Sequence, residues 1–275
     1  LPHEVAPERV EDLGKDLVRQ CAHLEPHVEL LRACFAKYPD VLIGKVDPVA
    51  VMFPRGSMQL VEGIFAGNPI VDHYNDIVAR AVRAFVRSRP SDGQPLRVVE
   101  VGAGTGATSS RVLPTLAALE LPLEYVYTDI SQHFISHGKQ AYGERYPFVR
   151  FEALNLESDA RVPEADLVLG TNVVHATRSI ERTLRKMQGA LRPGGVVVLN
   201  ELMGRTDFST LTFGLTPGWW LYEDDFRRIP GSPLLSLESW TAVLSEIGLS
   251  SNEVLDPDGS PPPTYSRVIV ASARV

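Results

Sequence analysis

Cysteine is nearly missing from this chain: Cys21 and Cys34 are the only two in 275 residues. Both lie in a stretch of helical pattern, so there is no disulfide framework, and no Cys/His spacing makes a zinc site. A reducing compartment, the cytoplasm, fits best. Long apolar runs are missing too. None reaches the roughly 18–20 residues that span a bilayer, and the first residues lack the charged-then-apolar pattern of a secretion signal. Neither a membrane-bound nor a secreted protein is expected. Positive charge is in deficit, 27 Lys and Arg against 34 Asp and Glu for a net charge of -7. No broad basic surface is left for a nucleic-acid backbone, which disfavours nucleic acid as a partner. Internal repeats are absent. The chain opens on Leu1 rather than a methionine, which points to a piece cut from something longer. What is there, 44% hydrophobic and 22% charged residues, suffices for one α/β domain with an appended segment and needs no covalent staples.

The most informative run is Val98-Val99-Glu100-Val101-Gly102-Ala103-Gly104-Thr105-Gly106, a short apolar strand delivered straight into a glycine turn that opens a helix. Gly102 and Gly104 let backbone N–H groups approach a ligand, and Gly106 lets the next helix pack on its strand. A tight turn without a ligand is the alternative. The dinucleotide fingerprint G-x-G-x-x-G would place its third glycine at 107, where Ala107 stands, although the motif does allow Ala there. Glu100, just ahead of the turn, would repel a pyrophosphate and welcome a ligand with a positive charge and an amino group. Downstream, Glu124-Tyr125-Val126-Tyr127-Thr128-Asp129 reads as a second strand ending in an acid. Such an acid accepts both hydroxyls of a ribose, or else caps the helix starting near Ser131. After a third apolar stretch, Phe148 to Ala153, comes Asn155-Leu156-Glu157.

Residues 8–35 carry apolar side chains at helical spacing, from Val10 through Leu17 and Leu24 to Phe35, before Pro39, Pro48 and Pro54 break the pattern. A second helical stretch, Val71 to Val86, leads through the linker Ser88-Arg89-Pro90-Ser91-Asp92-Gly93 into the first strand. Residues 1–95 thus read as a helical cap and 96–275 as the core. Strands at Arg97 to Val101, Tyr125 to Thr128, Val149 to Ala153, Leu167 to Thr171 and Val196 to Asn200 alternate with helical stretches, as in a doubly wound, mainly parallel α/β sheet. An irregular segment, 202–237, precedes a helix at Glu238 to Ile247. Two last strands near Glu253 to Leu255 and Ser266 to Ala271, flanking Pro261-Pro262-Pro263, form an antiparallel edge pair.

Glu-x-Gly-x-Gly-x-Gly resembles the first motif of class I S-adenosylmethionine-dependent methyltransferases. The fourth strand ends in Asn172-Val173-Val174-His175-Ala176-Thr177, and Leu191-Arg192-Pro193-Gly194-Gly195 turns into a fifth strand ending at Glu201. Together with Val46-Asp47-Pro48, Phe53-Pro54-Arg55-Gly56-Ser57, Thr128-Asp129-Ile130-Ser131 and Phe213-Gly214-Leu215-Thr216-Pro217-Gly218-Trp219-Trp220, these segments resemble the methyltransferase domains of modular polyketide synthases. The resemblance covers nearly the whole chain. It implies a Rossmann-like sheet of seven strands, S-adenosylmethionine as cofactor with S-adenosylhomocysteine as product, and an acyl intermediate on the phosphopantetheine arm of an acyl carrier protein, amid neighbouring synthase domains. Glu100, Gly102, Gly104, Thr105, Gly106, Asp129, Ile130 and Asn172 fall at cofactor-binding positions. Asn155 stands where the family usually has an acid, and its amide oxygen can still accept from the adenine amine while Leu156 packs on the ring; a plain loop Asn is the other reading.

A sulfonium methyl is already activated, so the protein must align two reactants and take a proton, work in which a placed base contributes roughly 10²–10⁴-fold. His175 is the candidate base, and Glu201 on the neighbouring strand can bond its other nitrogen and fix its tautomer. Trp219 and Trp220, with Phe213 and Tyr222, form an aromatic wall for the acceptor or else ordinary core. Tyr74 and Asn75 close over the pocket as a lid, or lie on a helix surface. The other six of the seven histidines have no ligand spacing, and no metal is expected. The region before the first strand, roughly 95 residues, is shorter than carbon-methylating domains generally carry. It favours O-methylation of a β-hydroxyl or enol over C-methylation at the α carbon of a β-ketoacyl chain. A non-catalytic methyltransferase-like domain is a reading of another class, opposed by the intact Glu100, Asp129, His175 and Glu201. A nicotinamide-dependent oxidoreductase comes last.

Overall fold

Strands buried on both faces need covering helices on both sides, and the alternation in the sequence supplies them. The computed structural model describes residues 7–65, 67–89, 93–254 and 265–273. The strands are β1 Leu96–Val101, β2 Leu123–Asp129, β3 Val149–Ala153, β4 Ala165–Thr171, β5 Leu191–Leu202, β6 Leu249–Glu253 and β7 Ser266–Ala273. They form one sheet of order β3-β2-β1-β4-β5-β7-β6. The first five are mutually parallel, and β7 runs antiparallel between β5 and β6. The chain therefore leaves β1 towards β2 on one side and reaches β4 on the other. That reversal opens a crevice at the carboxyl ends of β1 and β4, where ligands of such sheets bind.

The helices are α1 Pro7–Gln20, α2 Glu25–Phe35, α3 Tyr38–Leu42, α4 Pro48–Met52, α5 Gln59–Phe65, α6 Pro69–Ser88, α7 Ser109–Ala117, α8 Gln132–Tyr142, α9 Ile180–Gly189, α10 Asp207–Leu211 and α11 Leu237–Glu246. Caps set several starts: the Ser179 and Ser236 side chains accept from the backbone N–H groups of Arg182 and Ser239, replacing bonds the first turn lacks. One face of α9 buries Ile180, Thr183, Leu184 and Met187, and α11 buries Trp240, Val243 and Leu244. With Val99, Val101, Val168, Val197 and Leu199 these make the main apolar core.

Three expectations change. The single helical pattern of 8–35 is two helices, because Pro26 fits only the first turn of α2, where a missing N–H leaves no gap. The sixth strand begins at Leu249, ahead of the expected Glu253. Gly248, at φ 87°, turns the chain out of α11, and an edge strand needs few buried side chains, here Leu249. The fifth strand extends from Val196 back to Leu191, with a shift of register between Ala165 and Leu167 on its partner. Pro90 to Asp92 of the linker and the Pro261-Pro262-Pro263 segment lie outside the described residues.

Two compact units result, Leu1–Asp72 with Asp207–Thr216, and His73–Thr206 with Pro217–Val275. The division falls inside α6, not at residue 95, and it splits the 202–237 segment. In the first unit the His27 and Phe208 rings lie 4.8 Å apart, Phe213 meets Phe65 at 6.0 Å, and the Tyr38 hydroxyl donates to the Leu211 carbonyl at 3.1 Å. Those contacts draw the α10 segment into the amino-terminal unit.

In the second unit Gly138 of α8 lies against the Tyr127 ring, and a Cβ there would stand 2.7 Å from Tyr127 Cζ. Alanine is the better helix former by about 1 kcal/mol, yet overpacking costs about 1–3 kcal/mol. Gly138→Ala is therefore expected to destabilise the protein by roughly 1 kcal/mol or more in urea unfolding. A gain in stability would show that the ring gives way freely.

Candidate active site

The glycine turn after β1 is fixed by what surrounds it. Gly102 has φ 60°, and a Cβ on it would come 2.2 Å from Val173 Cγ2, so no other residue fits there. The Gly104 N–H donates to Asp129 Oδ2 at 2.9 Å, and the Ala103 N–H to the Thr128 carbonyl at 2.9 Å. Two tyrosines hold the carbonyls: the Tyr127 hydroxyl donates to Gly104 O and the Tyr142 hydroxyl to Gly106 O, each at 2.8 Å. Thr105, half-buried, lies on the same turn.

Asp129 closes β2. Besides Gly104 it accepts from the Ser131 N–H at 2.8 Å, with the Ile130 N–H adding a further pull, and its oxygens keep lone pairs to spare. Burial raises its pKa, and the backbone donors oppose this. Ile130, the next residue, is 66% exposed, an apolar ledge beside the acid. From α6, the Asn75 side-chain oxygen accepts from the Thr108 hydroxyl at 2.8 Å, and that hydroxyl lies 2.9 Å from the hydroxyl of Thr171 at the end of β4. The Asn75 Nδ2 is buried with no partner among the described residues. A diol acceptor, an apolar ledge and an orphaned donor beside the glycine turn fit a nucleoside that carries an amino acid.

Other expected cofactor contacts are placed differently. Glu100 is 1% exposed. Its carboxylate accepts the hydroxyl protons of Ser109 and, at 2.6 Å, Tyr125. It is held beneath the turn by these two hydroxyls, one from α7 and one from β2. Asn155 Oδ1 accepts from the Glu157 N–H at 2.9 Å in a local turn, the plain loop arrangement. Leu156 belongs to the main core instead of lying open to a ring. Asn172, at φ 49°, joins β4 to β5: its N–H reaches the Asn200 carbonyl at 2.8 Å and its Oδ1 accepts from the Leu202 N–H at 3.0 Å.

His175 and Glu201 come together. His175 Nδ1 lies 2.5 Å from Glu201 Oε2, while Oε1 accepts the N–H of Val173 at 3.2 Å and of Val174 at 2.9 Å. Glu201 has no exposure; His175 keeps 12% of its side chain open. Of the aromatic candidates, Phe213 sits in the amino-terminal unit, and Tyr74, Trp219 and Trp220 in the other. Tyr74 is buried, its ring 5.4 Å from that of His73. Trp219 is buried with its Nε1 unpartnered, and Trp220 is exposed. Sequence reasoning missed Ser109, Tyr142 and Arg228, whose partners lie 9, 36 and 53 residues away; no local pattern announces such pairs.

These features agree with known proteins. A family model described as a methyltransferase domain matches residues 99–197. The chain is 37% identical over 234 residues to the polyketide synthase PksR of Bacillus subtilis (strain 168), covering 82% of this chain and 9% of that protein. It thus spans between 4% and 11% of the length of such curated relatives. The solved DszA carbon methyltransferase matches at 39% identity and TM-score 0.88 over 97% of this chain and 70% of its own. For the CurJ carbon methyltransferase the values are 31% identity and TM-score 0.89, over 99% and 72%. The sheet and its crevice are those of a class I, S-adenosylmethionine-dependent methyltransferase. Within that class the chain belongs to the methyltransferase domains of polyketide synthases. Among its described residues no helix is long and apolar enough to cross a membrane.

The buried Glu100 gives this crevice a pH signature. Burial pushes its carboxyl up from 4.5 to about 7, against the pull of the Ser109 and Tyr125 hydroxyls and with a push from the Asp129 charge. The folded state therefore binds this proton more tightly than the unfolded chain. Glu100's contribution is fully present below pH 4.5 and lost as pH rises through about 7. The stability of the native protein relative to Glu100→Gln is expected to fall by on the order of 3 kcal/mol across that range in urea titrations at fixed pH. A constant difference would contradict it.

Proposed function

We propose that the domain methylates the α carbon of a β-ketoacyl chain carried as a thioester on an acyl carrier protein, with His175 as general base. The observation that carries this reading is the His175–Glu201 pair at the end of the crevice, and the likeness to proteins described as carbon methyltransferases supports carbon over oxygen. The length of the region before β1 favoured oxygen. The matched carbon methyltransferases cover 97% and 99% of this chain, the region before β1 with it, so that length does not separate oxygen from carbon.

The chemistry points the same way. A neutral imidazole is a weak base, suited to a proton already acidified by two flanking carbonyls and poorly suited to an alkyl hydroxyl. With Nδ1–H donated to Glu201, Nε2 carries the lone pair that faces the acceptor. Asp129 would hold the ribose, Ile130 the adenine, and Asn75 Nδ2 the amino-acid carboxylate. S-adenosylmethionine, when bound, supplies an electrophilic methyl on sulfur. His175 Nε2 takes the α proton as the new C–C bond forms and the S–C bond breaks, and Glu201 stabilises the imidazolium until the proton leaves to solvent. Glu201 acts as a positioning residue, since it touches only the imidazole and the turn. Neighbouring synthase domains would supply the ketoacyl chain.

Intact-mass analysis of carrier protein loaded in parallel with a β-ketobutyryl and a β-hydroxybutyryl thioester tests this. A methyl gain is expected on the keto chain alone, at the α carbon by fragmentation. Gain only on the hydroxy chain would establish O-methylation, and S-adenosylhomocysteine binding without any gain would favour the non-catalytic reading. His175→Ala is expected to lower kcat by about 10²–10⁴-fold, with the S-adenosylhomocysteine Kd held within about twofold. Native turnover in that variant would remove His175 as the base.

A further inference from the structure

Glu201 takes the donors on one side of the turn that carries His175, and a buried cation takes the acceptors on the other. Arg228 Nη1 donates to the His175 carbonyl at 2.7 Å and to the Pro233 carbonyl at 2.6 Å. Its Nη2 donates to the Thr177 carbonyl at 2.8 Å, and its Nε to Asp224 Oδ1 at 2.6 Å. The guanidinium lies 5.4 Å from the Tyr222 ring centroid, and its side chain is 1% exposed. Asp224 in turn accepts from the Ile180 N–H at 2.8 Å through Oδ2, tying the start of α9 to the same pair.

We infer that Arg228, held by Asp224, is a positioning residue for proton abstraction: it locks the carbonyl side of the His175 turn to residues 222–235, so the imidazole is aimed from two sides. The inference rests on His175 as base. Stability alone does not account for the pair, because burying a guanidinium and a carboxylate is costly and well-packed apolar residues often serve the fold as well. What the pair adds is geometry. A planar fork fixes three carbonyls and a carboxylate at once, which a lysine cannot do. Misplacing a reacting group by about 1 Å can cost about 10²-fold in rate.

Arg228→Met alone strands a buried carboxylate, so the informative variant is Asp224→Asn/Arg228→Met, which removes both charges and keeps an acceptor for the Ile180 N–H. On the β-ketobutyryl carrier protein its kcat is expected to fall about 10–100-fold. KM and the S-adenosylhomocysteine Kd should stay within about twofold. Arg228→Lys is expected to recover part of the loss. Native kcat in a folded double variant, or parallel losses in kcat, KM and cofactor affinity, would overturn the inference. Should the double variant not fold, Arg228→Lys decides: kcat reduced about threefold or more at unchanged KM supports the lock, and native kcat ends it. His175→Ala is measured alongside. Its retained turnover would bring down the general-base reading itself, whereas an inactive His175→Ala beside an unimpaired double variant would bring down the lock alone.

Discussion

The carboxylate of Glu201, closed off from solvent, sets the conditions for everything around it. A charge taken out of water must be saturated with hydrogen bonds or it is strongly destabilising. Its donors are the N–H groups of Val173 and Val174 and His175 Nδ1. Meeting that demand bends the chain sharply as it leaves β4, with Asn172 in the left-handed region. The bend places Val173 against Gly102, where any side chain on residue 102 would collide with it. The turn that carries His175 and the glycine turn after β1 are therefore in direct contact, and a single buried carboxylate on β5 helps set the spacing between them.

Behind the glycine turn stands a layer of hydroxyls. Tyr125 and Tyr127, two apart on β2, share one face of the sheet. The first donates to Glu100 and the second to the Gly104 carbonyl, while Tyr142 on α8 supplies the Gly106 carbonyl. With Asp129 on the Gly104 N–H, much of the turn's backbone is held in place before any ligand arrives. Such a turn loses little entropy on binding, which is what preorganisation means here.

The sheet was legible because parallel strands read as continuous apolar runs and the glycine turn has a fixed place after the first of them. His175 and Glu201 could be paired from sequence because His175 follows the end of β4 and Glu201 lies near the end of the neighbouring β5. Other features were not legible. Glu100 looked like a ligand for a cation because its position in the motif is suggestive, but which way a strand residue faces depends on register, and its hydroxyl partners come from α7 and β2. Leu156 looked free to stack and is core, since the loop after β3 folds back on the sheet. The membership of residues 207–216 in the amino-terminal unit rests on His27, Phe65 and Tyr38, contacts that no local spacing encodes.

Three buried carboxylates in this part of the molecule might be expected to repel one another, and each is quieted differently. Glu100 is pushed up by burial to about 7, so near neutrality it carries less than a full charge beneath the turn. Glu201 spends its lone pairs on the His175 turn, within the field of Arg228, whose guanidinium burial lowers and whose neighbours Asp224 and Glu201 raise. Asp129, raised by burial and pulled back by its backbone donors, keeps lone pairs open towards the crevice. One unshielded carboxylate beside a glycine turn suits a ligand that brings a ribose diol and a positive charge, and it is unsuited to a pyrophosphate. The selectivity lies less in the glycine spacing than in which of the three acids keeps lone pairs open to the crevice.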